Sequence, residues 1–105
     1  MKIFVIGSTQ YVSRMLDYKN QMEDEGHEVR LPCLDDNPGM NELDILSFNR
    51  KNIEWADEVH MIWDRRSTGT VFDFGMVFAL RKPFRIAYLE QKTFENAMRQ
   101  YESLF

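Results

Sequence analysis

Short apolar segments alternate along this chain with longer segments whose apolar residues recur at helical spacing. The strands are predicted at 2–6, 28–31, 59–63 and 84–89, and the helices at 13–25, 43–55, 71–80 and from Thr93 onward. Gly26 is suited to end the first helix. Strands that alternate with helices form a parallel sheet with helices on both faces. The sequence therefore predicts an α/β fold, a three-layer sandwich of the Rossmann-like or flavodoxin-like type.

Length and charge restrict the classes of protein to which the chain can belong. At 105 residues it forms a hydrophobic core as a single domain spanning residues 1–105. The formal net charge of -4 argues against a general nucleic-acid-binding protein, which usually has a basic surface. No apolar run is long enough to span a membrane, so we expect a cytoplasmic protein without a membrane partner.

Two loops follow predicted strands at the edge where open α/β sheets bind ligands. Gly7 and Ser8 follow the first strand, where glycine permits a sharp turn and the next helix offers N–H groups to an anion. The loop from Arg65 to Thr70 follows the third strand and has two guanidinium groups, three hydroxyl groups and Gly69. These groups suit a phosphate or a sugar. The alternatives are a tight turn for the first loop and a solvated segment for the second.

Asp73 lies near the predicted start of the third helix and has two interpretations. It could face a ligand as a catalytic carboxylate. Alternatively, Thr70 is the N-cap of the helix and Asp73 is the N3 residue, which completes the cap and interacts favourably with the helix dipole. The two roles could coexist, because a capping carboxylate can still face a ligand.

Three further polar residues are weighed in the same way. Asp64 ends the third strand, where it could contact a substrate or form a turn. Asn49 lies on the apolar stripe of the second helix, so it needs a partner, either a ligand or a backbone group. Asp57, which precedes the third strand, is interpreted as a turn residue.

Cofactor and metal chemistry have little support in the sequence. The single cysteine, Cys33, excludes an intramolecular disulfide, and a reactive thiol would need a nearby base that the sequence does not show. His27 and His60 are isolated, and no group of residues has metal-ligand spacing. Neither a GxGxxG fingerprint nor a P-loop is present. We therefore expect neither a metal nor an organic cofactor.

Considered jointly, these motifs resemble the nucleoside 2-deoxyribosyltransferase superfamily, which includes the 2-deoxynucleoside 5-monophosphate N-hydrolases. The resemblance covers most of the chain and is strongest between residues 56 and 83. The matching motifs are Gly7-Ser8, Ala56-Asp57, Ser67-Thr68-Gly69, Asp73-Phe74-Gly75 and Lys82-Pro83.

The resemblance implies roles for four residues of this chain. In the family, a glutamate in the acid-x-Gly motif attacks the anomeric carbon of the sugar and forms a covalent glycosyl-enzyme; the matching residue is Asp73. An aspartate eight residues before the Asp of Ala-Asp positions the sugar, and Asn49 stands there. Ser67 and Ser8 match the branch that acts on monophosphates. Family members complete the site across a subunit interface, which implies a homodimer or a higher homo-oligomer.

We therefore expect an N-glycosidic-bond enzyme, either a deoxyribosyltransferase or an N-hydrolase, that acts on a nucleoside or its 5-monophosphate. Asp73 is the expected nucleophile and Asn49 the sugar-positioning residue. The expected substrate-binding residues are Gly7, Ser8, Asp64, Arg65, Arg66, Ser67, Gly69 and Thr70.

Two other functions stay open at this point. Asp73 and Asn49 stand where the family has glutamate and aspartate, which favours as an alternative a non-catalytic protein of the same fold that binds or senses a nucleotide. A structural or partner-binding domain is the third possibility.

Overall fold

A computed structural model describes residues 1–32, 39–88 and 94–105. The predictions for Cys33, for the start of the last helix at Thr93 and for the end of the last strand at Leu89 lie outside the described residues. The elements are β1 (Lys2–Gly7), a short 3-10 helix (Thr9–Tyr11), α1 (Val12–Asp24), β2 (Glu28–Arg30), α2 (Glu42–Trp55), β3 (Glu58–Trp63), α3 (Thr68–Ala79), β4 (Phe84–Tyr88) and α4 (Phe94–Glu102). Within these ranges, no helix is both long enough and apolar enough to cross a membrane.

The four strands form one parallel sheet in the order β2-β1-β3-β4. The chain moves to one side of β1 to form β2 and then crosses to the other side to form β3. The direction of winding therefore reverses between β1 and β3, and such a switch point opens a crevice at the carboxyl ends of the strands. The α/β fold with a parallel sheet is thus confirmed.

A hydrophobic cluster covers each face of the sheet, because successive side chains of a strand point to opposite faces. On one face, Phe4 and Ile6 of β1 pack with Ile53 of α2 and Val77 of α3. On the other face, the cluster consists of Ile3, Val5, Met15, Val29 and Ile62. The predicted three layers are therefore present, with α2 and α3 on one side of the sheet and α1 on the other.

The end of α1 follows the sequence prediction. Gly26 adopts a φ of 94°, which is a left-handed conformation that glycine accepts without a Cβ clash. The His27 N–H donates to the Met22 carbonyl at 3.1 Å and the Gly26 N–H donates to the Glu23 carbonyl at 2.9 Å. These two bonds form a Schellman motif, so the predicted cap at Gly26 is confirmed.

The start of α3 differs from the sequence prediction. The N-cap is Ser67, whose Oγ accepts a hydrogen bond from the Thr70 N–H at 3.4 Å. The roles of Thr70 as N-cap and Asp73 as N3 residue are therefore wrong, and Asp73 lies in the second turn of α3. The helix begins earlier because Asp64 binds the backbone N–H groups of Arg66 and Ser67 and winds the chain directly before Ser67.

The turn between α2 and β3 is tied to two other parts of the fold. Asp57 accepts a hydrogen bond from the Lys2 N–H at 2.8 Å, and its own N–H donates to the Lys2 carbonyl, which confirms its predicted turn role. From the end of α3, the Lys82 Nζ donates to the carbonyls of Glu54 and Ala56, both at 2.8 Å. A cation at the carboxyl end of α2 satisfies carbonyl groups that have no partner within the helix.

Both histidines have polar partners, so the interpretation of His27 and His60 as isolated residues is wrong. His27 Nδ1 lies 3.0 Å from the amino group of Met1. His60 is buried in β3, where its two ring nitrogens contact the Tyr18 hydroxyl and, at 2.8 Å, the Glu58 carboxylate. Tyr18 lies 42 residues from His60, so no local pattern could have revealed that contact, whereas Glu58 lies two residues before His60 on the same strand.

Candidate active site

A cavity of about 220 Å³ opens at the carboxyl ends of β1 and β3, at the switch point of the sheet. Among the described residues, seven that sequence reasoning selected line it: Gly7, Ser8, Asn49, Ser67, Gly69, Thr70 and Asp73. The topology brings them together because the loops after β1 and β3 meet there, while α2 and α3 form the inner wall. The structure thus places these residues around one space, and their role in ligand binding stays a prediction.

Asp73 of α3 and Asn49 of α2 face each other where the two helices pack together. The Asn49 Nδ2 lies 3.5 Å from Asp73 Oδ1 and 3.4 Å from Oδ2, so the amide donates to both carboxylate oxygens. Asp73 is 6% exposed and Asn49 is 4% exposed. The partner of Asn49 in this pair is therefore a side-chain carboxylate, where the sequence had suggested a ligand or a backbone group.

Burial makes the Asp73 carboxyl a weaker acid than an exposed aspartate. Removal from water disfavours the charged form and raises the pKa of Asp73 to about 6, although the hydrogen bond from Asn49 lowers it in part. At neutral pH the carboxylate is mostly ionised but poorly solvated. A buried carboxylate in this state is suited to act as a nucleophile or a base.

The loop after β1 depends on the glycine at its start. A Cβ atom on Gly7 would lie 2.8 Å from the Met15 Cε and 3.1 Å from the Ile62 carbonyl oxygen. Glycine therefore lets the end of β1 pack closely against both β3 and α1. Ser8 follows, and its carbonyl accepts a hydrogen bond from the Tyr11 N–H at 3.0 Å, which forms the short 3-10 helix. This winding places Ser8 and Thr9 on the wall of the cavity.

The loop after β3 is organised by Asp64. Its Oδ1 accepts hydrogen bonds from the N–H groups of Arg66 at 3.0 Å and Ser67 at 2.9 Å. Burial raises the pKa of Asp64, but these hydrogen bonds outweigh that effect and hold the pKa below its ordinary value. Arg65 has a φ of 69°, and the exposed Arg66 guanidinium lies 3.9 Å from Asp64 Oδ2.

Three predicted binding residues, Asp64, Arg65 and Arg66, lie in the loop after β3 but outside the cavity. These three are absent from the lining of the cavity, and Asp64 forms the turn that was its alternative role. The prediction that they bind a ligand has no support from the cavity and stays a prediction.

Sequence reasoning did not include four lining residues in the site: Thr9, Pro32, Ile45 and Leu46. Thr9 directly follows Ser8 in the first loop, and two further signals could have found the other three residues. Ile45 and Leu46 lie four and three residues before Asn49, so they share its helix face. Pro32 follows β2, whose carboxyl end lies at the same edge of the parallel sheet as those of β1 and β3.

The chemistry of the lining favours an organic ligand with hydroxyl or phosphate groups. Within residues 1–32, 39–88 and 94–105, no group of three His, Cys, Asp or Glu side chains could hold a metal ion. A larger groove of about 540 Å³ lies elsewhere, and its lining combines aromatic residues such as Phe74 and Phe84 with two basic residues, without an acid. The smaller cavity holds the buried carboxylate, so we regard it as the candidate active site.

Comparisons with known proteins show the fold of this chain but do not assign it to a family. No protein-family model matches the sequence, and no curated protein matches it. The structure is similar to that of the CMP N-glycosidase BcmB from Clostridium botulinum, with a TM-score of 0.62 and 16% sequence identity, over 100% of both chains. At this identity the similarity shows a shared fold. It confirms the flavodoxin-like α/β fold and agrees with the fold implied by the resemblance to nucleoside 2-deoxyribosyltransferases.

Proposed function

We propose that this protein cleaves the N-glycosidic bond of a nucleoside 5-monophosphate, by hydrolysis or by transfer of the sugar to another base. The observation that carries the proposal is the buried pair of Asp73 and Asn49 in the cavity at the switch point. Serine side chains from the loops after β1 and β3 line the same cavity. A buried carboxylate and hydroxyl groups suited to an anionic substrate therefore lie in one space, which supports the proposal.

In the proposed mechanism, Asp73 is the nucleophile. Its carboxylate oxygen attacks C1′ of the sugar as the C1′–N bond breaks, and the base departs with the bonding electron pair and takes a proton from solvent. The product is a glycosyl ester on Asp73. Water then attacks C1′, the ester bond breaks, the carboxylate is restored and one proton is released. In the transfer reaction, a second base replaces water.

The other lining residues have binding roles in this proposal. Asn49 donates to the Asp73 carboxylate and orients it toward the sugar. Ser8, Ser67 and the first turn of α3 bind the phosphate, because the N-terminus of a helix attracts anions. A Cβ atom on Gly69 would meet nothing within 4 Å, so a ligand can approach the backbone there.

The likeness to BcmB supports the choice of substrate class. That protein is a CMP N-glycosidase and has the same fold over its full length. CMP is therefore the first compound to test. Cavities that enclose drug-sized ligands measure about 300–1,000 Å³, so a cavity of about 220 Å³ suits part of a nucleotide, such as its sugar and phosphate.

The direct test is base release from a panel of nucleosides and 5-monophosphates, including CMP, followed by chromatography with and without a second free base. We expect release from at least one monophosphate. Asp73→Ala should lower kcat by more than about a thousandfold, because it removes the nucleophile. Asp17→Ala, at an exposed position of α1, is the matched control and should leave the rate unchanged. Full activity in Asp73→Ala would exclude the mechanism.

A second candidate function is nucleotide binding without cleavage. The observation that favours it is Asn49, since an amide cannot accept and return a proton as a carboxylate can. This function predicts that CMP or another monophosphate raises the melting temperature without any release of base. The double variant Asn49→Asp, Asp73→Glu should then gain turnover. Release of base by the wild-type protein would exclude this second function.

A further inference from the structure

Asp64 is a buried carboxylate beside the cavity that the proposed chemistry does not use. It directly follows β3, it is only 4% exposed, and it is not among the residues that line the cavity. A charged side chain is seldom buried unless partners compensate for the lost water. Its role should therefore follow from the groups that it holds.

The contacts of Asp64 lead to the first turn of α3. Its Oδ1 accepts from the Arg66 and Ser67 N–H groups at 3.0 and 2.9 Å. Ser67 Oγ in turn accepts from the Thr70 N–H at 3.4 Å and from the Thr70 hydroxyl at 2.9 Å. Ser67 and Thr70 both line the cavity. A continuous chain of hydrogen bonds thus connects the buried carboxylate with the cavity wall.

The residue between Asp64 and Arg66 shows that this turn is held in a defined shape. Arg65 has a φ of 69°, which residues other than glycine, asparagine and aspartate rarely adopt unless the surrounding structure imposes it. The two backbone bonds to Asp64 fix the residues that follow Arg65. The hydrogen bonds to Asp64 therefore favour this conformation of the loop without a ligand.

A contact from the other loop reaches the same carboxylate. The Tyr11 hydroxyl, together with the Arg66 and Ser67 N–H groups, lowers the pKa of Asp64, so this hydroxyl lies near the carboxylate. Tyr11 ends the short 3-10 helix, and its N–H donates to the Ser8 carbonyl at 3.0 Å. Asp64 therefore lies where the loop after β1 approaches the loop after β3.

We propose that Asp64 is a positioning residue: it holds Ser67 and the start of α3 at a fixed distance from Ser8, and it sets ligand affinity without contacting the ligand. The inference rests on the proposed function for the identity of the ligand, and CMP is the probe. An Asn side chain offers the same acceptor oxygen to the two N–H groups, whereas Ala offers none. The two variants therefore separate a positioning role from a role of the negative charge.

The experiment compares Asp64→Ala and Asp64→Asn by kinetics and binding with CMP, and by amide hydrogen exchange without a ligand. We expect Asp64→Ala to raise KM and Kd at least about tenfold with kcat changed less than about threefold, because the binding groups lose their fixed spacing. Asp64→Asn should stay within about threefold of the wild type in all three constants. The Arg66 and Ser67 amides should be protected in the wild type and in Asp64→Asn, and exchange rapidly in Asp64→Ala.

Tyr11→Phe is a second test that leaves the carboxylate in place, so it also decides the question if Asp64→Ala does not fold. It should raise KM several-fold, because it removes one contact between the loops. Tyr18→Phe is its matched control, since it removes the hydroxyl bound to His60 on the α1 face of the sheet. This control should leave KM unchanged.

Three results would overturn the inference: an equal loss of kcat in Asp64→Asn and Asp64→Ala, an unchanged KM in folded Asp64→Ala, or rapid exchange of both amides in the wild type. Absence of both cleavage and binding of every monophosphate by the wild type would instead overturn the proposed function. In that case amide exchange, which needs no ligand, still decides whether Asp64 holds the loop.

Discussion

At the scale of single residues, Asp73 is an acidic side chain in a buried environment that disfavours its charged form. Its pKa of about 6 exceeds its ordinary value of 3.8 because the side chain is buried. Between these two values the folded protein binds the proton more tightly than the unfolded chain does, so stability falls as the pH rises from about 4 to 6. Above pH 6 the full destabilisation is present. The ionised carboxylate that the proposed mechanism needs therefore lowers the stability of the folded protein.

Asp73→Asn tests this relation. The amide has the size of the carboxyl group but carries no charge, and its oxygen can still accept from Asn49. We expect the free energy of unfolding at pH 7.5 to rise on the order of 1 kcal/mol, with no gain near pH 4. Urea denaturation at the two pH values measures it, and Asp17→Asn is the exposed control. An equal effect at both pH values would contradict the explanation.

The same carboxyl group sets the expected pH dependence of cleavage. The nucleophile must be ionised, and a group of pKa about 6 is roughly one-tenth ionised at pH 5 and nine-tenths ionised at pH 7. The rate of base release should therefore rise about tenfold over this interval. A stopped assay with CMP across pH 5 to 8 measures the profile. A rate that falls as the pH rises through 6 would exclude Asp73 as an ionised nucleophile.

Local patterns in the sequence selected individual residues, but the contacts of these residues in space could not be predicted from it. Asp73 and Asn49 were selected separately, by motif spacing and by a polar residue on an apolar stripe, and the structure pairs them. Asp64 was selected because it ends a strand, but its partners depend on a turn whose dihedral angles the sequence does not specify. His60 bonds to Tyr18 across 42 residues, which no local pattern reveals.

At the scale of elements, the ends of α1 and α3 use one motif with different residues. Gly26 has a φ of 94° after α1, and Arg81 has a φ of 53° after α3. In both cases the next residue donates to a carbonyl of the last turn: His27 to Met22 and Lys82 to Val77. A side chain in the left-handed region destabilises by about 1 kcal/mol relative to glycine.

Exchanges at these two positions should have opposite effects. Gly26→Ala should lower the free energy of unfolding by about 1 kcal/mol, and Arg81→Gly should raise it by up to about 1 kcal/mol. Chemical denaturation of both variants beside the wild type measures the difference, and each variant serves as the other's control. Two changes of the same sign would show that the helix ends do not control stability in this way.

The succession of elements could be predicted from sequence, but the start of α3 could not. Apolar periodicity revealed all four strands and helices. The start of α3 was misplaced because Ser67 and Thr70 are both good N-cap residues. The hydrogen bonds that the Arg66 and Ser67 N–H groups donate to Asp64 decide between them. The order of the strands is likewise a long-range property, although short connections in a right-handed α/β fold restrict it to few possibilities.

At the scale of the whole molecule, much apolar surface remains exposed. The apolar residues of the C-terminal region are between 63% and 93% exposed: Phe94, Met98, Tyr101, Leu104 and Phe105. Phe78 of α3 is 76% exposed beside the groove that Phe74 and Phe84 line. Large apolar side chains exposed in groups are typical of protein interfaces. The homo-oligomer implied by the family resemblance therefore remains our prediction.

Met98→Glu tests self-association. A charge on the apolar side of α4 should lower the association constant at least about tenfold, because it would have to be buried in the interface. Sedimentation equilibrium over a range of protein concentrations measures it. Gln100→Glu adds the same charge at another exposed position of α4 and should have a smaller effect. A wild type that stays monomeric at high concentration would contradict the prediction.

The contacts of Lys82 have a consequence for how this molecule can change over evolution. Lys82 joins the ends of α2 and α3, and these two helices carry Asn49 and Asp73. A contact outside the loops after β1 and β3 thus helps to hold the two helices that carry this pair. Substitutions in those loops can alter which molecules are accepted while the acid and the amide keep their separation. In the proposed function, changes in these loops would therefore alter selectivity while the contacts of Lys82 continue to hold the two helices together.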